Sequence, residues 1–419
     1  MAARAAYGYR AGMDLSYPPE AEEFRGTVRS WLEENLPDGW GTPAFSMTTE
    51  ERNAFYEEWN KKLFAGGWIC AGWPTEYGGK GLTLLEQVVV NEEFGRVGAP
   101  LRGDFFGDTL VGPTLLQWGS EEQKAKFIPG ILRGEIAWCQ GFSEPDAGSD
   151  LAGLKTRAVL DGDEWVINGQ KVWTTQAHRA DYIFLLARTD PDLPKHAGIS
   201  YLLVPMQQPG VEVRPIEQMD GSAEFNEVFF TGARCPRENV VGGEHNGWKV
   251  AMTTLGFERG TSATTSYLRF LKEFNDILRL AQASGADRDP LIRQRLARSW
   301  SKIKIMEING FRTLTDALNG THATAALSAC NKMFWSEAHQ ETLLLAMDIL
   351  GMRGQTLLGT VDDAGFAGAR KAHVQYPVDT LQALFFFSRS ETIWGGSAEI
   401  QRNIVGERVL GLPKEPKPS

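Results

Sequence analysis

The hydrophobic pattern predicts an α+β chain of three parts, helical, then β, then helical again. Three observations carry this: helical period in the first third, short β-branched and aromatic runs punctuated by turn residues in the middle, and long periodic segments with few turn signals thereafter. At 419 residues the chain also exceeds the ~250–300 at which a single core stops growing, so several domains sharing buried faces are expected.

Residues 1–13, rich in Ala, Gly and Tyr, read as a flexible leader. Phe24, Val28, Trp31, Leu32 and Leu36 then fall on one helical stripe, and Phe55, Trp59 and Leu63 on the next. Thr48 with Glu51, and Ser120 with Gln123, have the spacing of capping boxes. A helical N-terminal domain over 14–133 follows. In 134–244 the runs at 165–167, 182–186, 199–204, 211–213 and 228–230 are separated by Asp-Gly, Asn-Gly and Pro turns, which predicts a β-barrel or sandwich. Beyond His245-Asn-Gly-Trp248 a C-terminal four-helix bundle is expected over 245–412, with breaks near 284–290, 319–321 and 351–368. Residues 413–419 read as a frayed tail, and no repeat of fixed period is present.

Hydrophobic residues make up 42% and charged residues 23%, as in an ordinary globular enzyme. With 43 basic against 53 acidic residues the net charge is −10, which argues against nucleic acid as a partner. No apolar run approaches the ~18 residues of a membrane span and no signal-peptide core is present, so no membrane insertion and a cytoplasmic location are expected. Cys70, Cys139, Cys235 and Cys330 are too scattered for a CxxC pair and read as packing residues in a reducing compartment. His178, His196, His245, His322, His339 and His373 show no HxxxH or HExxH spacing, so no metal site is expected. There is neither a GxSxG elbow nor a GxGxxG turn after a strand.

Chemistry concentrates in three stretches: CQGFSEPDAGSD at 139–150, NGQKVWTT at 168–175, and WGGSAEIQR at 394–402. Singly, each reads as a turn, with Asn168-Gly169 as a hairpin loop. In this order they resemble the acyl-CoA dehydrogenase family, and the resemblance runs from about Ser16 to Pro413. It implies bound FAD. A flavin ring needs apolar cover on its faces and donors at its edges, because those atoms gain electron density on reduction. Trp173 offers the cover, and Ser143 and Thr175 offer hydroxyls. By the resemblance Ser143 contacts the pyrimidine side and Thr175 the N5/O4 edge, with Gln140, Phe142 and Thr174 beside them. Ser149 lies against the CoA moiety, Ser397 contacts FAD, and Glu399 stands near the flavin where the family has an uncharged amide.

The dinucleotide end departs from the family pattern. Arg279 stands at the arginine of the family's Arg-x-x-Phe-Gly, but no Phe-Gly follows. Gly351 follows Asp348, which replaces a glutamine, and an acid beside a diphosphate is repulsive unless Arg353 compensates.

Where most members carry the catalytic glutamate, this chain has Gly395. Removing an acyl α-proton requires a carboxylate with a raised pKa and a donor to the thioester oxygen. Gly395 keeps only the donor, its backbone N–H. The resemblance implies a base on an earlier helix immediately before an arginine, which points to Glu258 with Arg259; Glu391, Glu399 and Glu407 are the other candidates. The implied reaction is α,β-desaturation of an acyl-CoA, with electrons passed to an electron-transfer flavoprotein or similar acceptor. The implied assembly is a homodimer, homotetramer or heterotetramer sharing FAD across subunits. A non-catalytic or half-site subunit of a heteromer, and a flavin oxidase or monooxygenase, are the alternatives. Straight-chain, branched, aromatic and steroid-derived acyl groups all satisfy these motifs.

Overall fold

The computed structural model describes residues 17–42, 45–100, 104–258, 264–320, 324–356 and 380–414. The leader at 1–13, residues 415–419 of the tail, and most of the break at 351–368 lie outside them.

The N-terminal helices are α1 (Pro19–Asn35), α2 (Thr49–Ala65), α3 (Leu84–Val97), α4 (Gly112–Trp118) and α5 (Glu121–Arg133), with a π-helical turn, Phe106–Val111, leading into α4. Reciprocal capping boxes start α2 and α5 at Thr48/Glu51 and Ser120/Gln123, and a third starts α3 at Thr83/Glu86. The α1 stripe buries Val28 and Leu32 against Trp59 and Leu63 of α2. Trp31 sits among Trp59, Trp68 and Phe94 at centroid distances of 5.3, 5.6 and 6.2 Å. Charge also binds α1 to α3: the buried Glu93 carboxylate accepts from Arg25, Arg29 and Arg96 at 3.1, 3.0 and 2.8 Å.

The strands described are β1 (Trp138–Gly141), β2 (Arg157–Asp161), β3 (Glu164–Thr175), β4 (Tyr182–Arg188), β5 (Ile199–Pro205), β6 (Val211–Ile216), β7 (Phe225–Pro236) and β8 (Val240–Val241). They form one sheet in the order β6-β7-β3-β2-β4-β5-β8, with β1 parallel to β4. Central strands are buried on both faces, so β4 reads as an unbroken apolar run rather than an alternation. Ile183 and Leu185 face a core with Trp165, Leu202 and Phe230. Phe184 and Leu186 face the N-terminal helices.

Asn168-Gly169 is not a hairpin loop. It lies inside β3, where the pairing with β7 shifts register between Ile167 and Asn168. A Cβ at Gly169 would come within 2.5 Å of Thr156 Oγ1, so close strand approach, not a turn, requires this glycine. The β2–β3 turn uses Gly162, at φ +64°, instead.

The C-terminal helices are α6 (Gly247–Glu258), α7 (Tyr267–Ser284), α8 (Pro290–Leu318), α9 (Thr324–Leu350), α10 (Thr380–Ser388) and α11 (Ala398–Asn403), followed by a π-helical turn, Ile404–Val409. Helices α7 to α10 pack around Phe270, Phe274, Ile277, Leu296, Ile303, Leu343 and Leu384. Asp289 caps α8, accepting from Leu291 N–H at 2.8 Å. Cys139 and Cys235 are packing residues as expected, but Cys330 is exposed on α9. Among the described residues no helix is long and apolar enough to cross a membrane, and no His/Cys/Asp/Glu group could hold a metal ion.

Candidate active site

The ends of β1 and β3 are locked together from below. Lys171, fully buried on β3, donates Nζ to the Phe142 carbonyl at 3.0 Å and to Glu144 Oε1 at 2.8 Å. Glu144 also accepts the backbone N–H groups of Lys155 (2.6 Å) and Thr156 (2.9 Å). Burial works against the Glu144 charge, but Lys171 and these donors outweigh it and hold its pKa below the ordinary value. For Lys171 burial wins, and its pKa is pulled down to about 8 despite Glu144. The pair thus clamps the residues on either side of Ser143, whose carbonyl accepts from Val172 N–H at 3.0 Å.

Next to this lock the β3–β7 pairing shifts again between Lys171 and Thr174, and Trp173 is thrown out of the sheet. It sits at φ +61° with its side chain 60% exposed, edge-on to Phe225 at 6.2 Å. Gln176 follows at φ +58°, so two left-handed non-glycine residues fall within four positions. Strain of this kind costs about 1–3 kcal/mol per residue and concentrates at functional sites. Thr174 is buried, and its hydroxyl has no hydrogen-bond partner among the described residues, while its carbonyl accepts from Asn226 Nδ2 at 2.9 Å. Thr175 and Ser143 are half-buried. An exposed indole beside two accessible hydroxyls and a strand end fits a flavin ring.

The neighbours of these residues differ in what they offer. Gln140 is half-buried on β1, opposite Phe184. The Phe142 ring is committed to the core, edge-on to Phe184 and Tyr201, and its carbonyl is held by Lys171. Ser149 is exposed on the turn after β1.

A second group lies on the tip between α10 and α11, which α9 grips along its length. Lys332 donates to the Glu391 carbonyl (2.7 Å), and Gln340 donates to the Ser388 carbonyl (2.8 Å) and to Thr392 Oγ1 (3.2 Å). Trp394 rests on Trp335 and Phe387 and donates Nε1 to Ser390 Oγ at 3.0 Å. Gly395 and Gly396 follow at φ +65° and +87°, and the Gly395 carbonyl accepts from Gln401 Nε2 at 3.1 Å. Ser397 caps α11, accepting from Ile400 N–H at 3.3 Å.

Of the carboxylates near the tip, Glu391 is only 1% exposed and is bonded to His339 at 2.6 Å, so it is not free to take a substrate proton. Glu399 is exposed, and its own backbone N–H and the Ser397 hydroxyl lower its pKa, the wrong direction for a general base. Glu407 lies on the π-helical turn after α11. Glu258 is the last residue of α6, a helix seated on buried Val250 and Ala251. Thr254 shares a 2.8 Å hydrogen bond with Thr114 of α4, and Trp118 Nε1 donates to Thr253 Oγ1 at 3.1 Å. The Glu258 side chain and Arg259 lie outside the described residues.

At the expected diphosphate end, Arg279 is exposed on α7 and paired with Asp276. Gly351, at φ +57°, opens a short 3-10 turn after α9. Arg295 of α8 neutralises Asp348 at 2.6 Å, and Arg353 stays exposed, so the compensating charge comes from a different arginine than the sequence suggested. Among the described residues, the hydrogen bonds of the Ser143–Trp173 group stay within the β-domain and those of the tip within the C-terminal helices. Sequence reasoning missed the pairing of His339 with Glu391, which stands 52 residues away in the chain.

The N-terminal, middle and C-terminal domain models of acyl-CoA dehydrogenase match residues 18–135, 139–233 and 245–410. The chain belongs to the acyl-CoA dehydrogenase family, whose members are flavoprotein oxidoreductases. It is 45% identical over 406 residues to acyl-CoA dehydrogenase IpdE1 of Mycobacterium tuberculosis, covering 95% of this chain and 99% of that protein. A steroid acyl-CoA dehydrogenase structure, Tcur3481-Tcur3483, superposes with a TM-score of 0.77 at 33% identity, over 96% of this chain and all of that one. The ChsE4-ChsE5 complex from Mycobacterium tuberculosis superposes with a TM-score of 0.76 at 30% identity, over 96% and 100%.

Proposed function

We propose that this chain is an FAD-dependent acyl-CoA dehydrogenase that desaturates a steroid-derived acyl-CoA at its α,β bond, working beside a second, non-identical subunit. The observation that carries the reading is the exposed, strained Trp173 indole beside Ser143 and Thr175, on strand ends locked by Lys171 and Glu144. Bound FAD would supply the acceptor for the β-hydride, with an electron-transfer flavoprotein as the onward acceptor. Trp173 would cover one ring face, Ser143, Thr175 and Ser397 would meet its polar edges, and Ser149 would line the CoA path. Gly395 N–H would receive the thioester oxygen as charge builds there, and Glu258 would take the α-proton, with Arg259 stabilising its carboxylate. The lowered pKa of Glu399 and the burial of Glu391 support this choice of base.

The steroid class and the paired assembly are supported by the two similar structures, the steroid enzyme Tcur3481-Tcur3483 and the ChsE4-ChsE5 complex, each named for two proteins. Pairing is also supported by the diphosphate end, where Arg279 and Arg295 already hold carboxylates. The test is anaerobic bleaching of the bound flavin by a panel of straight-chain, branched, aromatic and steroid-derived acyl-CoAs, with and without a co-expressed partner subunit. Bleaching by the steroid-derived thioesters is expected. An FAD-loaded complex that no acyl-CoA bleaches would sink the assignment.

A further inference from the structure

Beneath the tip lies a set of buried charges that desaturation itself does not use. His339 of α9 stands between two carboxylates, with Nδ1 2.6 Å from Glu391 Oε2 on the tip and Nε2 2.7 Å from Glu273 Oε2 on α7. Arg269 of α7 reaches the same carboxylates from the rim, 3.6 Å from Glu391 and 3.7 Å from Glu273. From the tip, the Arg389 guanidinium turns to the Gln340 carbonyl (3.1 Å) and Ser388 Oγ (2.8 Å). From α9, Lys332 holds the Glu391 carbonyl at 2.7 Å, and the Phe270 ring closes the edge of the imidazole at 4.9 Å. Glu391 therefore has both its main chain and its side chain tied to α9, four residues before Gly395.

We infer that the His339–Glu391–Glu273 cluster is an ionic clamp that positions the tip so that the Gly395 N–H faces the thioester oxygen. This rests on the proposed role of Gly395. The three are positioning residues and touch no reacting atom. Nδ1 is hydrogen-bonded to Glu391, while Nε2 lies 2.7 Å from Glu273 Oε2 as an ion-pair contact without hydrogen-bond alignment, and a carboxylate on each side of the ring favours the imidazolium. Two carboxylates then balance His339 and Arg269, and the buried cluster is neutral. Burial opposes the charge on His339, yet Glu273 and Glu391 outweigh it and raise its pKa above the usual 6.5. A pKa raised on folding gives stability that is complete below 6.5 and lost as pH climbs through the folded value. Loss of the proton leaves one carboxylate without its donor, and the tip loosens.

The test compares two non-reacting probes on FAD-loaded protein by titration calorimetry. One is the enoyl-CoA built on the skeleton that best bleaches the flavin, and the other is the S-alkyl-CoA thioether of the same skeleton, which has no carbonyl oxygen. At pH 6 the native protein is expected to prefer the thioester by about tenfold, the scale of one hydrogen bond. His339→Gln and Glu391→Gln are expected to bring that ratio close to one by weakening the thioester alone, with FAD content unchanged. A merely structural role would weaken both probes together. In the native protein the ratio should fall as pH rises above 6.5 through the raised His339 value, which tests the clamp even where a variant does not fold. A preference kept by both FAD-loaded variants, or one flat from pH 6.5 up to the onset of alkaline unfolding, overturns the clamp while leaving the Gly395 reading standing. A native protein with no preference at pH 6 overturns the Gly395 reading and the clamp with it.

Discussion

Glu258 shows how far a single residue can be argued. It closes α6, a helix tied to α4 by the Thr114–Thr254 hydrogen bond and to Trp118 through Thr253. Glu258→Gln should keep FAD and thioether binding while flavin bleaching and α-proton exchange fall by ~10²–10⁴-fold, the usual weight of a general base. Stopped-flow absorbance and deuterium exchange read this directly, and near-native rates in flavin-replete protein would move the base elsewhere. At this scale, what the sequence shows depends on separation along the chain. Ser143, Trp173 and Thr175 stand in contiguous motifs, which is what made them candidates. The Arg295–Asp348 and His339–Glu391 pairs, 53 and 52 residues apart, needed helices to be packed first.

Elements were legible where one physical signal dominated. The α2 and α5 starts follow from their capping boxes, and β4 and β5 from dense β-branched and aromatic runs. Strands β1, β2 and β8, of four, five and two residues, are too short to show a period, and Asn168-Gly169 carries a turn signal that sheet packing overrides. The locks between elements yield two expectations. Lys171→Met leaves Glu144 charged and buried without its cation, at a cost of about 3–5 kcal/mol, and should release flavin as it lowers the denaturation midpoint. Replacing Glu144 as well should not rescue it, because the Lys155 and Thr156 N–H groups would lose their acceptor.

Glu93 governs the α1–α3 contact in acid. Burial opposes its charge, but Arg29, Arg96 and Arg25 outweigh that and hold its pKa at about 2, against an ordinary 4.5. A depressed carboxylate pKa gives stability present above 4.5 and lost as pH falls toward 2. Thermal unfolding across that window should flatten in Glu93→Gln, whose stability at pH 7 drops by about 1.5–3 kcal/mol. An unchanged acid profile in the variant would show that this cluster contributes nothing to acid unfolding.

For the whole molecule, the three-part architecture was legible because each part has its own periodicity, and the boundaries we propose fall near residues 134 and 245, where that periodicity changes. Association was expected from the resemblance but not from the hydrophobic pattern, since apolar residues destined for a partner share the pattern of those destined for the core. Leu291, Trp300, Ile305, Ile308 and Leu318 of α8 are exposed, and so are Ile393, Leu410 and Leu412 farther along the chain. We propose that some of them are covered by a partner subunit. Analytical ultracentrifugation of the protein expressed alone and with a candidate partner should give a dimer or larger species. A stable monomer with full FAD occupancy would contradict shared-cofactor assembly.

The paired left-handed glycines at the tip bear on how such a chain can change. An acidic side chain at position 395 would have to be held at φ +65°, at a cost of roughly 1–2 kcal/mol for an L-residue. A Cβ at Gly396 would come within 2.5 Å of Gln401 Nε2. The conformational penalty at φ +65° falls on any acid placed at position 395, and glycine there avoids it.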